Sequence, residues 1–313
     1  MIIRPRPHWL RMLFVVRGSI IRKIAPQLLA VTVIAVFVAL AHGRLFFEWK
    51  IPLNFVPFSL VGLTLAIFLG FRNSTSYARF WEARTLWGVF LTGSRALLRQ
   101  ALTLVDEGRP GAADTASANT RLLAYRLAAY VHAVRHQLRG TDPTADFARL
   151  LSPADASRAL ATRFRATTLL LMVGEWVRDR RREGALSDMV ATAMEVPVGH
   201  LNDAQGGCER IISTPIPFTY AVIIHRTIYI YCFLLPFGLV DAIGWMTPVF
   251  VAFIAYTFFA LECLGDEIED PFGVEANDLA LDAISGVIEN TLREMCGEVL
   301  PPPAPRGESV FAT

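Results

Sequence analysis

The sequence predicts an all-α membrane protein with four transmembrane helices and a large helical cytosolic region. Three observations carry this. The 313 residues are 53% hydrophobic and only 19% charged, against roughly 25% charge in a soluble domain, and mean hydropathy is +0.41. The charge deficit is concentrated in a few windows instead of being spread along the chain. Between those windows apolar residues recur at helical spacing, and no strand alternation persists.

Residues 1–25 read as a basic cytosolic segment, with Arg4, Arg6, Arg11, Arg17, Arg22 and Lys23. The apolar run that follows is long and has no small-residue cleavage motif, so it is expected to be retained as a span and not removed as a signal peptide. Residues 26–71 hold the first two spans. The first window, Pro26–Ala41, is shorter than the roughly 20 residues a crossing helix needs, and Ile24, Ala25 and Leu45–Phe47 can extend it. The second, Ile51–Phe71, has no charge.

Residues 72–212 read as the cytosolic helical region. Leu97, Ala101 and Leu104 recur at helical spacing, as do Leu122, Tyr125 and Ala129. Residues 107–118 form a Gly/Pro/Asp/Ser loop, Gly140–Pro143 a turn, and Ser152-Pro153 a capped helix start. Residues 213–264 hold the last two spans. Thr227–Val240 is preceded by apolar Ile211–Ile224, with His225-Arg226 as the break between them, and Ile243–Leu264 is interrupted only by Glu262. Residues 265–299 read as a C-terminal cytosolic helical region, and 300–313 as a disordered Pro-rich tail.

Arginines set the orientation. The basic residues before the first span, and Arg72, Arg79, Arg84, Arg95 and Arg99 after the second, mark cytoplasmic sides. The two outer connections hold only Arg44, Glu48 and Lys50, and Asp241. Both termini and the middle region are therefore expected in the cytoplasm. A net charge of +2 points to neither nucleic acid nor an acidic partner.

The second span carries the most specific pattern. Gly62, Ala66 and Gly70 repeat every four residues, as small residues do where membrane helices approach closely. Leu63, Ile67 and Phe71 repeat at the same spacing one residue on, about 100° away. Around an axis of several such helices, that ladder makes a hydrophobic constriction of the kind that gates by dewetting; the plainer reading of both faces is ordinary helix packing. His225-Arg226 is either an intramembrane functional pair or the cytoplasmic mouth of the third span. Asp266, Glu267, Glu269, Asp270, Glu275 and Asp278, around Pro271-Phe272-Gly273, are either oxygen ligands for calcium or a solvated acidic surface or intersubunit salt bridges. Cys208, Cys232, Cys263 and Cys296 are scattered without a CxxC pair, which argues against a zinc site and for buried reduced thiols. No catalytic triad, phosphate loop or dinucleotide fingerprint is present, so no enzyme is expected.

The stretches GLTLAIFLGFRNSTSYARFWEARTLWG (62–88), GGCERIISTPIPFTYAVIIHR (206–226) and LGDEIEDPFGVEANDLALDAI (264–284) closely resemble bacterial members of the bestrophin family, in the same order, within roughly residues 20–295. The resemblance implies a multi-pass channel of the bacterial inner membrane. It would be a homopentamer around one pore, with four membrane helices per subunit, conducting chloride or other small monovalent ions. It places a three-rung hydrophobic neck on Leu63, Ile67 and Phe71, and a cytosolic aperture near Met189. Animal relatives bind calcium around a motif to which Glu267, Asp270, Glu275 and Asp278 correspond. Here carboxylates replace amide-bearing ligands, so no cofactor is expected, with calcium as the open alternative. The alternative functions are a sodium-type cation channel of the same architecture, or a membrane-anchored helical enzyme or binding protein. A secondary transporter would show internal repeats, and none is found.

Overall fold

The computed structural model describes residues 8–16, 18–41, 44–45, 49–50, 55–105 and 116–300. Arg4, Arg6, Arg17, Glu48, most of the 107–118 loop and the tail beyond Leu300 lie outside them. The chain divides into two compact units. One is Ile2–Phe80 with Pro215–Pro271; the other is Trp81–Thr214 with Phe272–Thr313 and Met1.

The first unit is apolar. After the short helix α1 (Trp9–Leu13) come α2 (Ile21–Leu40) and a minimal antiparallel ladder, β1 (Arg44–Leu45) with β2 (Trp49–Lys50), pairing Arg44 with Lys50 and Leu45 with Trp49. This is the one strand pairing among the described residues, and two residues per strand are too few to leave a readable alternation. Then α3 runs unbroken from Phe55 to Leu104, its first part in this unit; α9 (Phe218–Ile243) and α10 (Thr247–Glu269) complete it. Val31 and Ala35 of α2, Leu65 and Leu69 of α3, Ile228 and Leu235 of α9, and Val251, Ala255 and Phe259 of α10 form its core.

The outside of this unit is as apolar as its inside. Leu29, Phe37, Ile223, Ile230, Val249 and Phe253 are all exposed. A helix apolar all round belongs in a core or a membrane, and a soluble surface rarely carries contiguous patches of this kind. Three stretches are long and apolar enough to cross a membrane: Ile21–Leu40, Val56–Leu104 and Phe218–Glu269. The last folds as two helices, because a 3-10 turn at Gly244–Met246 separates α9 from α10. Gly244 sits at φ 54°, ψ −123°, a conformation open in practice to glycine alone.

One boundary differs from the sequence reading. The third apolar helix is not broken at His225-Arg226; α9 runs straight through them. The break lies at 214–217, where Pro215 and Pro217 disfavour helical conformation in the residues before them. Past the apolar run that ends at Phe71, α3 continues without a break, for 50 residues in all.

The second unit is polar outside, with a core of large side chains. It comprises the rest of α3, α4 (Ala118–Arg139), α5 (Thr144–Leu150), α6 (Pro153–Leu160), α7 (Arg165–Arg182), α8 (Asp188–Ser213) and α11 (Leu281–Met295). Trp87, Phe90, Leu97, Leu123, Leu127, Tyr130, Phe147, Leu169 and Met172 are buried, and the Tyr130 hydroxyl donates to the Leu201 carbonyl at 2.9 Å. On α4 the buried stripe is Leu123, Leu127 and Tyr130, one or two positions beyond the expected Leu122, Tyr125 and Ala129, of which Ala129 alone is fully buried. Ser152 caps α6 by accepting from the Asp155 N–H, with Pro153 at the first position, and α4 ends on Gly140 at φ 63°. Tight contacts hold α8 on α3: a Cβ at Gly93 would meet Leu201 at 3.1 Å, and one at Gly207 would meet Leu86 at 2.8 Å.

Candidate functional site

In the apolar unit, helix α3 has two unlike faces. Leu65, Leu69, Arg72 and Ser76, stepping by four, three and four, are buried against the chain's own helices. Leu63, Ile67 and Phe71 are 61%, 51% and 64% exposed. The described chain thus leaves more than half of each open to water, lipid or another molecule.

Gly62, Ala66 and Gly70 do not act together within the chain. A Cβ at Gly62 would lie 2.7 Å from the Tyr231 hydroxyl of α9, whereas one at Gly70 meets nothing within 4 Å, and Ala66 and Gly70 are exposed. Each four-residue step advances 40° around a helix. Over eight residues that drift carries Gly70 off the face where Gly62 packs. A second close approach of α3 to α9 is at Gly238, where a Cβ would meet the Phe58 ring at 2.6 Å.

The azimuth of α3 is set at one end by charge. The Arg72 side chain is 3% exposed and pairs with Asp266 and, at 3.3 Å, with Glu269, both of α10. Arg79 donates to the Glu269 carbonyl at 3.1 Å, Asn73 donates to the Leu261 carbonyl at 3.1 Å, and Glu269 accepts from the Ile216 N–H at 3.2 Å. The same end of α10 binds α2 through Lys23–Glu267 at 2.9 Å and α9 through His225–Glu262 at 2.7 Å. Four helices are thus tied by pairs along one short acidic stretch. Sequence reasoning treated Arg72 only as a marker of orientation; its place three residues after Leu69 and seven after Leu65, on the buried stripe, was the available signal.

The four acidic residues considered for calcium fall two in each unit. Glu267 is held by Lys23, and Asp270 is exposed at the end of α10. Asp278 is buried and accepts from the Glu275 N–H at 2.7 Å. Among the described residues no three His, Cys, Asp or Glu side chains converge as a metal site. The neighbouring turn is anchored by Arg139, which donates to the Phe272 and Gly273 carbonyls at 3.1 Å. Met189, the second residue of α8, is 83% exposed. Cys208, Cys232 and Cys296 are buried free thiols, and Cys263 is half-buried. Burial pushes the Cys208 thiol up to about 12, so it stays protonated.

The polar unit holds a second charge network that sequence reasoning missed. Glu289 of α11 meets His132 of α4 at 2.9 Å and Arg149 of α5 at 2.8 Å. Asp146 meets His136 at 2.9 Å and Arg135 at 2.7 Å, and Arg135 and Arg139 reach Asp282 at 3.0 and 2.6 Å. Burial alone raises both carboxyls. Hydrogen bonds outweigh it, from His136 and Arg149 on Asp146 and from His132 and Arg149 on Glu289, and hold each at about 2.

The chain resembles known proteins over nearly its whole length. A voltage-dependent anion channel-forming protein of Ralstonia nicotianae is 47% identical over 298 residues, covering 95% of each chain. The protein of the same description from Escherichia coli K12 is 41% identical over 301 residues, again 95% of each. The solved structure of a bacterial bestrophin homologue from Klebsiella pneumoniae superposes with a TM-score of 0.82 at 39% identity, covering 88% of this chain and all of that one. The family model for bacterial and fungal bestrophin proteins matches residues 1–294, and the chain therefore belongs to the bestrophin family.

Proposed function

We propose that this chain is one subunit of a pentameric anion channel of the bacterial inner membrane. In this reading α2, α3, α9 and α10 cross the bilayer, both termini are cytoplasmic, and α3 from each subunit lines a single pore. Leu63, Ile67 and Phe71 form its hydrophobic neck. Ala66 and Gly70 let neighbouring α3 helices approach, and Met189 lines a second constriction at the cytosolic exit. The observation that carries the reading is the ladder. It is an exposed apolar column on α3, repeating every four residues, on the side away from the stripe that Leu65, Leu69 and Arg72 bury in their own chain. The anion channel-forming relatives at 47% and 41% identity support the substrate class.

A ring of such residues narrow enough to dewet strips an ion of its water and offers no oxygen in return. The neck is then a gate with no charge of its own, and ion selection falls to other residues. Conduction in this reading needs no cofactor. Glu267 acts in pairing and Glu275 and Asp278 in turn formation, and current persists in chelator. Purified protein in a planar bilayer, with native mass spectrometry of the same sample, tests the reading. A pentamer and a chloride-carrying current are expected; a stable monomer or dimer with no current would overturn it.

A further inference from the structure

Helix α3, Phe55–Leu104, contains five arginines and one acidic residue. Three of the arginines are engaged: Arg72 with Asp266 and Glu269, Arg79 with the Glu269 carbonyl, and Arg95 with the Thr291 hydroxyl at 3.1 Å. The one acid, Glu82, is paired with Arg210. Arg84 and Arg99 are exposed, and neither has a hydrogen bond or ion pair among the described residues. Arg84 is nonetheless placed, since its guanidinium lies 5.4 Å from the centre of the Trp81 ring, a cation–π geometry.

Both lie at one exposed column of the polar unit. Trp81, Thr85, Gly88, Thr92, Arg99 and Thr103 are all exposed and step by four, three, four, seven and four, the repeat of a single helical face. A Cβ at Gly88 would meet nothing within 4 Å. The threonine hydroxyls donate back to their own helix, Thr85 to the Trp81 carbonyl at 3.0 Å, Thr92 to Gly88 at 3.1 Å and Thr103 to Arg99 at 2.9 Å. Their hydrogens are thus unavailable to an ion. The charge on this column is Arg99, with Arg84 leaning over its first member. Counted back along the sequence, the same spacing runs through Ala78 and Ser74 to Phe71, Ile67 and Leu63.

We infer that Arg84 and Arg99 are charge-selecting residues of the ion pathway, biasing permeation toward anions beyond a neck that cannot sort ions by sign. The inference rests on the pore reading above. Repeated around a closed ring, two exposed guanidiniums per subunit, neither paired with a carboxylate of its own chain, raise the local anion concentration and exclude cations. The effect is through space, so it must weaken as the screening length falls from about 10 Å at 0.1 M salt to about 3 Å at 1 M.

The test is the chloride-to-sodium permeability ratio from reversal potentials, for the full-length wild type, Arg84→Gln, Arg99→Gln, Arg99→Glu and Arg99→Lys. The ratio should fall several-fold in Arg99→Gln and less in Arg84→Gln. It should fall furthest in Arg99→Glu and stay near wild type in Arg99→Lys, with all differences compressed at 1 M salt. A conducting wild type whose ratio is unchanged by Gln and Glu at both positions overturns this inference and leaves the channel reading standing. A silent wild type overturns the channel reading itself. If Arg99→Gln separates the subunits while Arg99→Lys keeps them together, Arg99 is an interface group and not a selecting one, and the inference is likewise overturned.

Discussion

The two faces of α3 in the apolar unit are built from nearly the same residues and do opposite things. Leu65 and Leu69 are almost wholly buried, while Leu63 and Ile67, two residues before each, are more than half exposed. Hydrophobicity alone does not separate them; what does is the side on which the rest of the chain lies. That side is marked by Arg72, whose partners are on α10, and by Gly62, whose lack of a side chain lets Tyr231 approach. A helix so anchored on one stripe can present an apolar column without losing its place.

The largest effect should come from the anchor. Asp266→Asn with Glu269→Gln leaves the buried Arg72 guanidinium without a counter-charge. Such breaks cost up to about 3–5 kcal/mol, the lower figure applying here because Asp266 is itself half-exposed to water. Adding Arg72→Met to that double variant removes the uncompensated charge as well and should recover stability. Thermal unfolding in detergent compares the two, and a double variant as stable as the triple would deny the anchor its role.

Next in size is the contrast between neighbouring rungs. Leu69→Ala deletes core contacts and should cost about 2–5 kcal/mol, by analogy with soluble cores, whereas Ile67→Ala should leave the melting temperature almost unmoved. Equal losses from both would mean that the exposed column is a packing face after all. Gly62→Leu and Gly70→Leu sharpen the same contrast. The first must displace Tyr231 inside its own chain and should lower thermal stability. The second meets nothing within the chain and should show itself only in assembly or current.

A smaller, pH-dependent loss belongs to the polar unit. Asp146 and Glu289 titrate at about 2 in the folded protein, below their ordinary values of 3.8 and 4.5. Their contribution is complete above the ordinary values and disappears as pH falls through the folded ones. Melting temperature should therefore drop between roughly pH 4.5 and 2, and His132→Ala should flatten part of that slope. The smallest expected effect is that of chelator, under which current should not change; abolition by EGTA with recovery in micromolar calcium would restore Glu267, Asp270, Glu275 and Asp278 as a site.

What could be read in advance was local. The Ser152-Pro153 helix start and the turn at Gly140 each depend on one or two residues' backbone and are visible within a few positions. What could not be read depends on partners far along the chain. The anchoring of α3 at Arg72 and Asn73 depends on acceptors on α10, close to 190 residues away. The helix passes through His225 because Glu262 meets it from 37 positions on. The four-residue period of Gly62, Ala66 and Gly70 was legible, but not the 40° drift per step that divides them between two faces.

The neck is tested most directly by single-channel recording of the variant carrying Leu63→Ala, Ile67→Ala and Phe71→Ala together, with size-exclusion chromatography of the same sample. An uncovered gate predicts an oligomer of wild-type size with raised conductance or open probability, because water remains in the widened ring. An oligomer of wild-type size with unchanged current, or one that falls apart, would contradict it.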